Sequence, residues 1–403
     1  MTQQNRQRAI RLFVVVLALA ALADGLGSNI QSNYFNEVFS IDSVQRGFIE
    51  VPRESPGILC MILVAALGFL GNLWMSVVAQ FLILIGFIAM GWCSPGYGTM
   101  LIFLFIHSLG LHLFMPLNDA ISMDLAEKGQ VGATLGKFKG VNTLFSMVAA
   151  VLVFFGFRTG FFSFGTKTIL PFALGAFATA GAMVLLIVMA LSTPIGDGVK
   201  HHKLLFRRRY MPYYMVTLAY GCQKRIRIVF APWVIIKLLG QGADTVALLT
   251  IVTYFARTLT APAIGRLLDQ LGVKKMLWAE AVYIATSFSI MGILAGMLSE
   301  GTFYMGDWQT WLVFCAYVLC VLFEQFSMVH SYMMRAIALD SGEVTRTLSV
   351  GLSVDHVMAI IASPVMGLIW NTWGVQYVFY LAAVSVVFQI IAAAMTEKET
   401  QVK

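Results

Sequence analysis

Apolar stretches of about 20 residues follow one another along this chain without period-two alternation, and they decide what it can fold into. A helix of that length matches the hydrocarbon thickness of a bilayer, where every backbone polar group needs an internal partner. Helices meet that need within one segment, whereas a closed barrel would show alternating polarity. Composition agrees: of 403 residues 59% are hydrophobic and 12% charged, with a mean hydropathy of +0.81. A soluble domain carries about twice that charged share. The expected fold is all-α, a polytopic membrane protein of twelve transmembrane helices. These spans 1 to 12 fall at 9–31, 45–71, 73–93, 99–121, 138–160, 168–192, 210–238, 243–264, 274–297, 308–333, 347–371 and 374–396.

The net charge of +7 reads as a topology signal, not as a nucleic-acid footprint. With both termini placed in the cytoplasm, cytoplasmic segments hold Arg6, Arg8, Arg11, Lys128, Lys137, Lys139, Lys200, Lys203, Arg207, Arg208 and Arg209. They also hold Arg266, Lys274, Lys275, Arg335, Arg346, Lys398 and Lys403, while only Arg46, Arg158, Lys167 and Lys237 fall outside. That is the positive-inside rule, and it points to a multi-pass protein of the cell inner membrane. Cys60, Cys93, Cys222, Cys315 and Cys320 lie in or at the ends of spans without metal-ligand spacing, so no metal is expected. Basic residues before Leu12–Leu22 and Ala21-Leu22-Ala23 imitate a signal peptide. Its removal would leave eleven spans, so it is read as span 1.

The longest charged stretch sits mid-chain, and the expected organisation is a six-helix bundle at 1–192, a cytoplasmic linker at 193–209 and a second bundle at 210–403. Weak internal echoes support the cut. Ala120-Ile121-Ser122-Met123-Asp124 is matched by Ala336-Ile337-Ala338-Leu339-Asp340, Thr134-Leu135 by Thr347-Leu348, and Val141-Asn142 by Val354-Asp355. Between spans 8 and 9 runs Gly265-Arg266-Leu267-Leu268-Asp269-Gln270-Leu271-Gly272-Val273-Lys274-Lys275. Its glycines permit a tight turn and close helix approach, and Asp269 suits a helix N-terminus.

This loop resembles the signature G-x-L-A-D-R-x-G-R-K of the major facilitator superfamily, with Gly265, Leu267, Asp269, Gly272 and Lys274 in register. Ser363-Pro364-Val365-Met366-Gly367, Trp373-Gly374 and Val378-Phe379-Tyr380 resemble that family's closing helices. The resemblance implies two pseudo-symmetric six-helix bundles and a conformation-bracing role for Asp269. In the first half the loop shortens to Gly68-Phe69-Leu70-Gly71-Asn72, with Asn72 in the carboxylate's place. The span 4 arginine of the family's drug exporters is absent, and His107 lies near its position. The resemblance also implies that spans 3, 6, 9 and 12 face lipid. Those spans carry no Asp, Glu, Lys or Arg except Glu280 and, at the cytoplasmic start of span 9, Lys274 and Lys275.

Ionisable groups inside a membrane are costly and mark hydrated pathways or coupling sites. Span 7 holds Gln223-Lys224-Arg225-Ile226-Arg227; Lys224 lies about 21 Å along the helix from Tyr210 at 1.5 Å per residue, too deep to snorkel. Lys224 and Arg227 share a face at i, i+3, and Arg225 points about 100° away. Bound substrate or an interhelical ion-pair network can neutralise them. In span 2, Glu50, Arg53 and Glu54 form one stripe beside Pro52 and Pro56, which loosen the helix. If that span begins later the trio is interfacial. Asp24 in span 1 matches the depth of Lys224, and its natural partner is a span 7 cation. Arg257, Glu324, Gln325, Asp355 and His356 complete the set. His107 and His112, five apart, lie on different faces, which argues against a metal site.

No nucleotide-binding loop appears, so an ion gradient is the expected energy source and no cofactor is expected. The reading is a proton-coupled secondary transporter of a small organic anion or zwitterion, working as a monomer by alternating access. Lys224, Arg225, Arg227, Arg257, Arg53, Gln223 and Gln325 are the expected substrate contacts. Asp24, Glu50, Glu54, Glu324, Asp355 and His356 are the expected proton carriers. The rivals are drug or lipid efflux on the same fold and an integral membrane transferase using His107, Asp119 or His330.

Overall fold

Helix occupies all twelve expected positions in the computed structural model, which describes residues 3–92, 96–127, 131–166, 168–192, 206–339 and 341–396. Linker residues 193–205, Cys93, Lys128, Lys167, Lys200, Lys203, Asp340, Lys398 and Lys403 lie outside the described residues, as does the Arg346 side chain. Nine helices among the described residues are long and apolar enough to cross a membrane, and one of them, Ala243–Ser299, contains spans 8 and 9. Spans 2 and 7 are the two that miss this mark. They carry the densest charge and both are broken. Span 2 splits into Ser43–Phe48 and Glu50–Leu67. Pro52 has no N–H for the Phe48 carbonyl, so the regular ladder cannot run through. Span 7 is α-helical over Met211–Arg225, then widens to π-helix at Ile226–Phe230 and again at Val234–Leu238, on either side of Pro232.

The chain forms two compact units. One comprises Met1–Ser40, Pro52–His201 and Gly242–Thr250; the other comprises Ile41–Val51, His202–Gln241 and Ile251–Lys403. The start of span 2 therefore packs with the second half of the sequence, and the start of span 8 with the first. In the first unit Phe13, Leu17, Met75, Leu113, Leu117 and Leu186 form the centre of the core, and Arg158 reaches Asp244 at 3.7 Å. In the second unit Tyr210, Val216, Leu277, Val329, Met333 and Ala392 do so.

The docking of Ile41–Val51 has a local cause. Asp42 and Gln45 form a reciprocal capping box that starts the short helix Ser43–Phe48. Ser43 and Gly47 face Ser363 and Gly367 of span 11, a small-x-x-x-small crossing on both helices. A Cβ on Gly367 would stand 2.5 Å from the Ser43 carbonyl oxygen, and one on Gly47 nearer still to that of Ser363. We expect Gly367→Val to destabilise the protein by about 1–3 kcal/mol through overpacking. A lowered melting midpoint in detergent checks this; an unchanged midpoint would show that the crossing is not tight.

The duplication is visible in backbone conformation. Gly71 (φ 73°) and Gly272 (φ 72°) make the same left-handed turn between the second and third helix of each half. Aligned on these glycines, Gly68 corresponds to Asp269, and Asn72 does not occupy the carboxylate's place. Asn72 instead donates to Asp124 at 3.5 Å. The helix ends of spans 4 and 10 correspond at Ala126 (φ −72°, ψ 147°) and Ala338 (φ −66°, ψ 145°). The echo between 120–124 and 336–340 is thus out of register: Asp124 is still helical, while the second helix stops at Ile337. Each end is capped by a cation that precedes its half. Arg6 donates to the carbonyls of Leu125 and Ala126, and Arg209 to that of Ile337 at 3.2 Å.

Within the signature loop the two glycines differ. Gly272 breaks Ala243–Ser299 in two, but a Cβ on Gly265 would meet nothing within 4 Å, so that residue does not serve close helix approach. Gly272→Ala should lower stability by about 1–2 kcal/mol, because the left-handed conformation strains any Cβ. Gly265→Ala should be neutral or slightly stabilising by helix propensity. Thermal unfolding of both variants tests the contrast, and equal midpoints would contradict it. Asp269 is exposed and caps no helix among the described residues; Lys274 donates to the Thr396 carbonyl at 3.2 Å.

Large apolar side chains on spans 3, 6, 9 and 12 point outward, among them Phe81, Phe177, Leu191, Val282 and Val384. Glu280 is the exception in sequence only, for it is fully buried.

Candidate substrate and coupling site

The charges of span 7 converge with carboxylates from three other segments of the second unit. The intact helix Met211–Arg225 places Lys224 about 20 Å from Tyr210. Lys224 Nζ lies 2.6 Å from Asp355 Oδ2 of span 11, and Arg225 approaches the same oxygen at 3.3 Å. Arg225 also lies 3.7 Å from Glu50, which accepts from Arg46 at 2.9 Å. Arg46, expected outside the membrane, is 1% exposed and forms an i, i+4 pair with a fully buried carboxylate. Arg227 and Arg257 both pair with Glu324 of span 10, the former at 3.3 Å.

This grouping departs from the helical-wheel expectation. Adjacent Lys224 and Arg225 share Asp355, while Arg227 turns to a different helix. Its position in the π-turn Ile226–Phe230 re-aims the side chain, since each inserted residue rotates the remainder of the helix about its axis. The expected stripe in span 2 also divides: Glu50 belongs with Arg46 and Arg225, whereas Arg53 and Glu54 belong to the first unit. There Arg53 pairs with Glu54 at 3.2 Å and reaches Gln31 at 3.5 Å, and Glu54 lies 3.7 Å from His112. Glu50 and Glu54 are both buried, and the Arg53 side chain is 19% exposed.

One expected substrate contact has another role here. Gln223 is fully buried in a reciprocal amide pair with Gln389 (2.9 Å) and donates to Ser385 at 2.8 Å. Its side chain clasps spans 7 and 12 and is closed to a ligand in this conformation. Asp24 is exposed and forms no ion pair among the described residues; the span 7 cations take Glu50, Asp355 and Glu324 instead. His356 is buried next to Asp355 in sequence, and His107 packs edge-on against Phe87 at 4.6 Å.

Accessibility separates the cluster into a locked and an open part. Arg225 is 2% exposed, but the side chains of Lys224, Arg257 and Glu324 are 24%, 28% and 34% exposed. Around Glu324, span 10 tightens into the 3-10 turn Phe323–Phe326, and Arg257 donates to the Val321 carbonyl at 3.3 Å. Gln325 donates to Thr260 at 2.7 Å. Nε of Arg227, Nε of Arg257 and Oε1 of Gln325 are buried with no hydrogen-bond partner among the described residues, so this part retains bonding capacity. Among the described residues, Arg46, Lys224, Arg225, Arg227 and Arg257 thus pair with Glu50, Asp355 and Glu324.

No family model matches the chain, and no curated protein matches it in sequence. Solved structures do match. A POT family transporter in complex with a thioalcohol-conjugated peptide aligns with a TM-score of 0.76 at 13% identity over 95% of each chain. The nucleoside transporter NupG aligns at 0.71 and 12%, covering 96% of this chain and 100% of its own. A D-xylose–proton symporter aligns at 0.68 and 15%, covering 98% and 99%. This chain shares its fold with these transporters. The agreement spans nearly the whole chain, so the shared fold covers both units and not only the loop at 265–275. All three are transporters by name.

Three features of the site were missed in sequence. Arg46 and Glu50 show the i, i+4 spacing of a helical ion pair. Ser43/Gly47 and Ser363/Gly367 show the spacing of a close crossing. The partnership of Glu280 with His330 has no sequence signal, because fifty positions separate them.

Proposed function

We propose that this protein is a proton-coupled secondary transporter of a small organic anion, operating by alternating access. The gathering of Lys224, Arg227 and Arg257 around Asp355 and the partly exposed Glu324, with Nε of Arg227 and of Arg257 lacking a hydrogen-bond partner among the described residues, carries the reading, because clustered cations in low dielectric call for an anion. Arg257, Arg227 and Lys224 are the substrate contacts, with Gln325 as an orienting amide. Glu324 is the coupling carboxylate. While ionised it occupies Arg227 and Arg257; once protonated it releases them to a substrate carboxylate. Proton and anion then load together, as symport requires. The structural neighbours support small-molecule cargo, one of them being a proton symporter by name.

The test starts from a thermal-shift screen of the purified protein against metabolite anions, zwitterions and organic cations, since a ligand of the native state raises the melting midpoint. Stabilising anions then go into proteoliposomes with an imposed pH gradient. Anion uptake driven by inward proton movement is the expected outcome. Stabilisation by cations alone would overturn the reading in favour of drug or lipid efflux, which exposed Asp24 favours.

A further inference from the structure

Six residues beyond Glu324 on span 10, a second titratable pair lies outside the cluster just described. His330 Nε2 stands 2.8 Å and 3.0 Å from the two oxygens of Glu280 on span 9. Glu280 is fully buried and His330 is 6% exposed. The Tyr220 ring of span 7 meets the imidazole edge-on at 5.0 Å and also packs against Phe323, the neighbour of Glu324. Among the described residues no other charged side chain pairs with either member. His330 is seven residues from the helix end at Ile337, and Glu280 seven from the start of span 9 at Val273, about 10 Å of helix in both cases. The pair therefore sits between the Glu324 cluster and the basic face of the second unit that carries Arg209.

We propose that Glu280 and His330 form a proton-binding site in their own right, holding one proton in common. An ionised Glu280 beside a neutral imidazole would leave one negative charge in a dry, low-dielectric position with no cation to balance it. Uptake of one proton makes the pair neutral, whether the proton rests on the imidazole or on the carboxyl, and keeps the hydrogen bond. An apolar pair of similar volume would fasten spans 9 and 10 equally well, so clasping alone does not call for these groups. The groups facing the pair from the packed helices are the Tyr220 ring of span 7 and, one turn along span 9, Tyr283, which donates to Leu319 and packs on Phe326. The inference deepens the transport reading by adding a proton station on the basic side of Glu324.

Infrared difference spectroscopy of the purified full chain in lipid tests it without a substrate. Spectra between about pH 4 and about pH 9 cover the range of carboxyl and imidazole titration, and isotope-labelled histidine identifies the imidazole bands. The wild-type protein should show a titrating band that disappears in Glu280→Gln and shifts by about one pH unit or more in His330→Gln, while Glu324→Gln keeps it. Both glutamine variants retain a hydrogen-bonding partner, so a merely structural clasp would leave the spectra unmoved. His330→Gln provides the reading should Glu280→Gln fail to fold. Identical titrating bands in wild type and variants would overturn the proposal. If the band behaves as expected and no anion is carried, the transport reading fails and the proton site stands.

Discussion

The substitution Asp355→Asn is expected to destabilise the protein by about 3–5 kcal/mol, the loss seen when one member of a buried ion pair is removed. Asp355 is 6% exposed and one of its oxygens serves both Lys224 and Arg225. An amide there leaves Lys224 facing only a partial dipole and takes from Arg225 the nearer of its two carboxylates. Thermal unfolding in detergent reads the effect. Because the penalty comes from stranded charge, adding Lys224→Met to the same chain should recover a large part of it. A midpoint near the wild type for the single variant, or no recovery in the double, would remove Asp355 as the anchor of span 7.

The second large effect concerns transport. Arg257→Gln should reduce anion uptake by about 10- to 100-fold, the range for losing one charge-assisted hydrogen bond of about 1.5–3 kcal/mol. Its fold cost should stay small, since Arg257 and Glu324 are partly exposed and Glu324 keeps Arg227. Glu324→Gln should behave differently. With both arginines released, exchange of anion across the membrane persists, but accumulation driven by a pH gradient is lost. Uptake that remains gradient-driven in Glu324→Gln would assign the coupling proton elsewhere, with Glu280 and His330 the next pair to examine.

These two variants probe different halves of one network. The locked half, with Arg225, Glu50 and Arg46 almost wholly buried, holds the start of span 2 within the second unit. The open half, around Arg257 and Glu324, has exposed polar surface and unused donors. Stability is the expected readout for the first and transport for the second.

Sequence alone determined the all-helical membrane class of this protein. Twelve apolar stretches admit only helices in lipid, and the turn glycine of the signature loop sits where the backbone must take a positive φ. The position of Lys224 about four turns along its helix also follows from sequence distance, which needs no tertiary information. Which charge meets which was beyond the sequence. Lys224, Arg225 and Arg227 lie within four positions, yet they part between Asp355 and Glu324 because a π-turn and the packing of spans 10 and 11 redirect them. Glu50 and Glu54 share a helix but belong to different units. Coulombic partnership depends on separations of a few ångströms between helices distant in the chain, and only the packed structure sets those separations.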